Sequence, residues 1–537
     1  MAEESRSYDA DVIVVGSGVA GALIAHRLAE AGKSVIMLEA GPRMQRWQIV
    51  ERFRNQANKM DFMGPYPASK AAPHPMLYGE NADYLVQKGE QPYDAQYIRA
   101  VGGTTWHWAA SAWRFLPSDF RLKSEYGVGR DWPIGYDDLE DYYFRAEVAL
   151  GVWGPNDVDL GSPRSAEYPM APLPLSWNER RVSERINPHG FDMVTEPVAR
   201  NSRPYDDRPT CCGNNNCMPI CPIGAMYSGI IHVEKAERAG ARLIDNAIVH
   251  HLESDASGKI REVRYLDPDG KQHRLSAARV VLAANGIETP KLMQMSVNAH
   301  TPDGVGNQND MVGRHLMDHP GTGVSFLADE PLWAGRGPQE MTSIITWRDG
   351  DFRKDFASKK LHLSNIARTQ QMTTEVLSET PLRLGAELQA QIDNRASRYV
   401  QFDSFHELLP EAANRITPSK KRDALGLPRP EFRYAIDDYV KRSAAHTREQ
   451  YARIAQLMGG TDIAFRDEYS NNQHICGTTL MGDNPKDSVV DRDCRVHGHD
   501  NLFVASSGSM PTVGSVNCTL TIAALSLRIA DLLEQEI

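Results

Sequence analysis

Ala10-Asp11-Val12-Ile13-Val14-Val15 runs directly into Gly16-Ser17-Gly18-Val19-Ala20-Gly21; the segment AGALIAHRLAEAG then closes at Gly32, and SVIMLE ends at Glu39. The first run is β-branched and almost free of charge, the pattern of a strand buried on both faces in a parallel sheet. The alanine- and leucine-rich segment has the spacing of an amphipathic helix, and the third run reads as a second strand. Strand, glycine turn, helix and strand in this order predict a doubly wound α/β unit that takes a dinucleotide. Gly16 permits the tight turn, Gly18 lets backbone approach a pyrophosphate, and Gly21 lets helix pack on strand. Glu39, 18 residues beyond Gly21, is placed to accept from a ribose hydroxyl. The helix N-terminus offers unpaired N–H groups and a partial positive charge to the phosphates. The motif does not by itself separate FAD from NAD.

The chain of 537 residues has room for three to four domain-sized units and a large core. With 41% apolar, 24% charged and 8% aromatic residues it has the composition of an ordinary globular protein, which excludes disorder and collagen. A net charge of -11 gives no overall basic footprint for nucleic acid. No run reaches the ~18 apolar residues that cross a bilayer. The opening MAEESRSYDA lacks the basic and apolar regions of a secretion signal. Four of seven cysteines, Cys211, Cys212, Cys217 and Cys221, fall within eleven residues, which points to a metal or redox site rather than a disulfide framework. Thiolates select soft metals, paired CxxC motifs of zinc type are absent, and Pro222 after Cys221 matches the Cys-Pro ending of ferredoxin-type runs. That pattern favours iron–sulfur over zinc. Cys476, Cys494 and Cys518 read as small buried residues.

Further along, Val101-Gly102-Gly103-Thr104-Thr105-Trp106-His107-Trp108 is a second glycine-rich segment, and GPYPASKAAPHP a Pro-rich loop. ARLIDNAIVHHLE, KIREVRYLD and ARVVLAAN read as strands returning to the nucleotide domain, ending at Ala284-Asn285-Gly286. From about 323 to 469 strands such as RYVQFDSFHELL alternate with charged helices such as DDYVKRSAAHTREQYARIAQLMG, the pattern of a substrate-side domain. Asn501 to Ala505 reads as a strand, Pro511 to Val516 as a turn, and Cys518 to Leu533 as a long apolar helix.

These pieces resemble the glucose-methanol-choline (GMC) oxidoreductases, through VIVVGSGVAGALIA with LEAG, GGTTWHW, ANGIETPKLM, VGRHLMDHP and NLFVASSGSMPTVGSVNCTLTIAALSLRIAD. CCGNNNCMPICPIGAMYSG adds a likeness to the large flavoprotein subunits of bacterial membrane-associated, cytochrome-linked sugar dehydrogenases, the FAD-dependent glucose enzyme nearest in pattern. The resemblance runs over essentially the whole chain. It implies a discontinuous Rossmann-type FAD-binding domain over 8–120, 208–322 and 470–537, carrying an Fe-S loop at 208–226. A substrate domain with an antiparallel sheet would occupy 121–207 and 323–469.

It also implies roles. An alcohol yields a hydride to flavin only if its hydroxyl proton leaves to a base. His474, in NNQHICGT, matches the family's catalytic histidine, and Asn517, in SVN, its partner; Asn517 is also placed to cap the terminal helix, and the two roles are compatible. FAD contacts are expected at Gly16, Gly18, Gly21, Glu39, Ala40, Gly102, Gly103, Thr104, Thr105, His107, Asn285 and Gly508. His107, in a GG-x-x-x-H arrangement, would either bond the flavin 8-methyl group covalently or stack on it. The terminal helix would either aim its N-terminus at the flavin or simply pack in the core. The family implies a 3Fe-4S cluster on Cys211, Cys217 and Cys221, with Cys212 the spare or alternative ligand. Arg200, Arg203 and Arg208 would neutralise the cluster, bridge to a subunit, or form a solvated loop. His319 reads as structural; His406 and Asp403 are placed either in the sugar pocket or on a packed strand face. The implied reaction is oxidation of D-glucose at C1 to the lactone, with gluconate, sorbitol, fructose or glucoside as alternatives and a non-catalytic redox sensor as the competing class. The implied partners are a small signal-bearing subunit and a multihaem cytochrome c, which would hold the chain at the periplasmic face of the inner membrane.

Overall fold

In a computed structural model, which describes residues 8–59, 61–67, 69–75 and 83–537, the strand Ala10–Val15 lies at the centre of a five-stranded parallel sheet. The order is Leu502–Val504, Ala277–Leu282, Ala10–Val15, Val35–Leu38, Arg242–Ile244. Val15 sits level with Leu38 on one side and Leu282 on the other, so the three strands end together beside the glycine turn. Val12, Ile13 and Val14 are fully buried, as two-sided burial of a parallel strand requires. The helix Val19–Glu30 packs between Ile230–Arg238 and the terminal helix Thr519–Glu536. The first seven residues of the polar opening segment, and Ala68 of the Pro-rich loop, lie outside the described residues.

The second layer is a six-stranded antiparallel sheet, ordered Thr461–Asn471, Pro320–Leu327, Tyr399–His406, Lys359–Leu363, Thr342–Ile344, Met193–Thr195. One face packs on the helices Asp438–Leu457 and Trp177–Ile186 through Val324, Phe326, Leu361, Leu363, Val400 and Phe402. The other face carries polar side chains. Among the described residues no helix is long and apolar enough to cross a membrane.

Two expectations change. Of the strands expected to rejoin the nucleotide sheet, only Arg242–Ile244 and Ala277–Leu282 do so; Ile248–Ser254, Ile260–Leu266 and Gln272–Leu275 form an antiparallel sheet of their own. Their charged, half-buried residues suit a sheet with one wet face, not the all-apolar centre. The boundaries expected at 322/323 and 469/470 both fall inside strands of the six-stranded sheet, because Pro320–Leu327 and Thr461–Asn471 pair with each other along their length. The division moves to just before Pro320 and just after Asn471.

Candidate active site

The glycine turn opens into a cleft. Of the residues expected to meet FAD, Gly16, Gly18, Glu39, Ala40, Gly103, Thr104 and Asn285 line it. Gly16 holds φ +103°, and a Cβ there would lie 2.5 Å from the Ala283 carbonyl oxygen, so strand and turn meet only with glycine. A Cβ at Gly18 would meet nothing closer than 4.0 Å, which leaves the backbone open to a ligand. Glu39 is buried and accepts from Ser17 N–H (3.0 Å), Ser17 Oγ (2.7 Å) and Gly41 N–H (3.1 Å), so the acid is held in place, with burial pushing its carboxyl up. Asn285 accepts at Oδ1 from the N–H groups of Ile287 (2.8 Å) and Glu288 (3.0 Å), which turns the start of Asn285–Met295 into the cleft. The donor set and the open backbone at Gly18 fit a dinucleotide.

Others expected there stand behind the wall. A Cβ on Gly21 would lie 2.0 Å from Gly16 O and 3.0 Å from Val14 Cγ1, so the helix lies close against both turn and strand there. Gly102 packs on Ile230, and Thr105 accepts from Gly229 N–H at 2.8 Å. Gly508 is buried against Thr478 and Thr479. The buried ion pair Glu288–Lys291 (2.6 Å), with Arg99 and Tyr97, was missed; Glu288 and Lys291 stood in the quoted ANGIETPKLM without a role. His107 is buried with no partner for Nε2 among the described residues, 5.8 Å from the Tyr66 ring, and burial lowers it to about 4.

The expected pair is assembled. His474 Nε2 lies 3.2 Å from Asn517 Nδ2. His319, expected to be structural, is part of the same array, its Nδ1 2.8 Å from His474 Nδ1. Burial pushes His319 down to about 3 and His474 well below its ordinary value, so both rings are neutral. Their tautomers follow from their neighbours. His319 Nε2 lies 3.0 Å from the Gly514 carbonyl, which only accepts, so Nε2 carries the proton and Nδ1 accepts. His474 therefore donates from Nδ1 and keeps its lone pair on Nε2. Asn517 is fixed from the other side, because Lys360 Nζ donates to its Oδ1 at 2.9 Å and leaves Nδ2 facing His474. Asn517 does not cap the terminal helix; Cys518 precedes the first turn, with no side-chain cap.

Two acids hold this array. Asp318 Oδ1 accepts from the N–H groups of both His319 (2.6 Å) and His474 (2.9 Å), and Oδ2 from Tyr93 (2.9 Å). Glu196 accepts from Lys360 (3.2 Å), Trp113 Nε1 (3.1 Å), Ser111 and Ser343, and is held at about 2, its own burial outweighed by Lys360 and the serines. Neither acid stood out in the sequence. Strand alternation separates neighbours here. Asp403 lies opposite His362 on the site's face, whereas His406 belongs to the packed face and bonds Ser404 Oγ and Ser443 Oγ (3.0 Å each). Lys359 likewise turns from Lys360 to Ser443 O and His446 Nδ1 (2.7 Å), its amine lowered by burial to about 7.

The cysteine loop runs between the two regions. Cys217 and Cys221 are buried, Cys211 half-buried and Cys212 exposed. Cys211, Cys217 and Cys221 lie within electrostatic range of one another, and Arg200 beside Cys211 and Cys217 has a buried Nη1 with no partner among the described residues. Arg46 donates to Cys221 O (2.8 Å) and covers the Trp106 ring at 5.1 Å, bridging loop and GGTTWHW segment. Gln339 ties Asn215 and Met218 to the six-stranded sheet. Arg203 instead binds Pro169 O at the surface, and Arg208 binds Leu150 O. Three soft sulfur donors beside a buried guanidinium N–H suit an anionic thiolate cluster in kind, while among the described residues the sulfurs do not all lie within 4.8 Å of one another. Cys476 lies against Cys518, and both they and Cys494 are buried.

Comparison with known proteins fits this geometry. Models described as "GMC oxidoreductase" match residues 133–321 and 410–526, and one described as "FAD dependent oxidoreductase" matches residues 11–46. The fructose dehydrogenase large subunit of Gluconobacter japonicus is 47% identical over 98% of each chain. The chain belongs to the GMC oxidoreductase family. FAD is thus the dinucleotide of this GMC oxidoreductase. The 2-methyl-1,2-propanediol dehydrogenase of Mycolicibacterium austroafricanum is 28% identical over 97% of this chain and 94% of its own. Among solved structures, formate oxidase shares the GMC fold at TM-score 0.67 with 14% identity, each chain covered to 98%.

Proposed function

We propose that this GMC oxidoreductase is the catalytic flavoprotein subunit of a sugar dehydrogenase, with His474 as base and Asn517 as the group that orients the substrate oxygen. The His319–His474–Asn517 array carries the reading. A substrate hydroxyl entering between His474 Nε2 and Asn517 Nδ2 accepts from the amide and gives its proton to the imidazole. When bound, FAD supplies the acceptor for the carbon-bound hydrogen and its electron pair. Gly16, Gly18, Glu39, Ala40, Gly103, Thr104 and Asn285 would hold it, with Gly21, Gly102, Thr105 and Gly508 shaping the walls, and His107 is the candidate for a covalent bond to it.

The 47% identity to a fructose dehydrogenase large subunit favours fructose over the glucose reading that the sequence suggested. Cys211, Cys217 and Cys221 are the proposed ligands of a 3Fe-4S cluster, Cys212 standing outside. Such a cluster passes electrons singly, which fits a multihaem cytochrome c partner, a signal-bearing small subunit and placement at the periplasmic face of the inner membrane.

Anaerobic addition of fructose, glucose, gluconate and sorbitol to the holoenzyme, then turnover with phenazine methosulfate, tests this. Fructose is expected to bleach the flavin fastest; failure of every sugar and polyol to bleach it would overturn the reading in favour of a redox sensor. Iron analysis and an EPR spectrum of the oxidised protein test the cluster. Acid precipitation tests the His107 bond, which predicts that the yellow colour stays with the protein.

A further inference from the structure

The polar face of the six-stranded sheet satisfies nearly all of its charged groups internally. Glu196 is taken by Lys360, Trp113 and two serines, and Asp403 by Arg466 (2.8 Å) and Gln401 (2.7 Å). Two atoms on this face are left over. Glu340 Oε2 and His362 Nδ1 are buried and have no hydrogen-bond partner among the described residues. They belong to one pair, since Glu340 Oε1 lies 3.8 Å from His362 Nε2. A buried polar atom without a partner costs about 1–3 kcal/mol. Two such costs side by side make sense where a ligand supplies the missing bonds.

Their position names the ligand. His362 stands two residues beyond Lys360 on one strand, so both side chains share a face. Its ring stacks on Phe405 with centres 5.1 Å apart, and Phe405 meets the His474 ring edge-on at 5.6 Å. Glu340 lies within electrostatic range of Glu196, Lys360 and Asp403 on the same face. One phenyl ring thus separates the free pair from the base, a span that a monosaccharide covers when it hydrogen-bonds at both ends. Burial raises the Glu340 carboxyl, with His362 opposing the shift. The carboxyl and the imidazole approach within 3.8 Å at Oε1 and Nε2, and each keeps a second polar atom, Oε2 and Nδ1, to offer a hydroxyl.

We propose that Glu340 and His362 form a subsite that binds adjacent hydroxyls of the sugar at the end remote from the reacting carbon, and that this subsite selects polyhydroxylated substrates over simple alcohols. The proposal rests on the sugar-dehydrogenase reading above and adds to it the residues that recognise the sugar.

The test uses FAD-loaded Glu340→Gln, Glu340→Ala and His362→Leu, with fructose and with 2-butanol, which has a secondary hydroxyl and no neighbouring one. Removing a hydrogen bond to a charged or buried group predicts a rise of about 10- to 100-fold in KM for fructose, with kcat within about threefold. Flavin reduction by 2-butanol should keep its wild-type rate in all three variants, so the ratio of sugar to simple-alcohol reactivity collapses. An unchanged fructose KM in both Glu340→Gln and His362→Leu would overturn the subsite alone. Equal losses with both substrates, or lost FAD and a lowered Tm, would make the pair structural and overturn it too. A wild-type holoenzyme reduced by no sugar would overturn the underlying reading and the subsite with it.

Discussion

The nucleotide cleft and the polar face of the six-stranded sheet are built in opposite ways. The cleft is local and made of backbone: Gly16, Gly18, Gly21 and Glu39 fall within one strand–turn–helix–strand unit, and each glycine is required by a contact that a Cβ would block or by room for a ligand. The catalytic face is non-local and made of side chains. Glu196, His319, Lys360, His474 and Asn517 come from five separate segments and meet in one hydrogen-bonded row. A backbone cradle tolerates changes of side chain and no change of shape, whereas a side-chain row depends on every member's charge and tautomer.

The largest effect should come from the row. His474→Gln keeps a polar group and removes the base, so sugar-dependent flavin reduction should fall about 10²- to 10⁴-fold with FAD content unchanged. A drop of less than tenfold would mean that the proton leaves elsewhere. Lys360→Met should come next. It strips Glu196 of its buried counter-charge and frees the Asn517 amide to flip, at a cost of about 3–5 kcal/mol in stability. The double change with Glu196→Gln should recover most of that stability, read by urea unfolding, but not the activity.

Gly16→Ala tests the cradle. It forces a Cβ against the Ala283 carbonyl at positive φ, which costs roughly 1–3 kcal/mol and should show as weakened FAD retention on gel filtration. The smallest effect concerns pH. Burial, then His319 and Lys360, hold His474 neutral well below the usual histidine range, so its basic form persists as pH falls. The rate of flavin reduction by sugar should stay level from pH 7.5 through 6; an acid limb centred near 6.5 would place an ordinary, solvated histidine in the role.

The same contrast explains what could be read from the chain. The nucleotide fold was legible because glycine spacing and apolar runs are local signals, and the resemblance then supplied His474 and Asn517. Asp318 and His319 stood in a quoted motif, yet their task lies in a contact 155 or more residues away, which no window of sequence displays. Lys359 and Lys360 carry no signal of their own in the sequence. Only the strand register shows that one lysine faces Asn517 and the other His446. The separation of Asp403 from His406 fell to the same alternation, and the division between domains was displaced because two strands pair across it.

Asp318 ties the row to the order of folding. Its one carboxyl oxygen accepts from backbone groups at His319 and His474, which joins distant parts of the chain and fixes the position of the base. Closing so long a loop is entropically costly and slow compared with forming the local strand–turn–helix unit at the start of the chain. The base thus has its place only where positions 318 and 474, 156 residues apart in the chain, have been brought together.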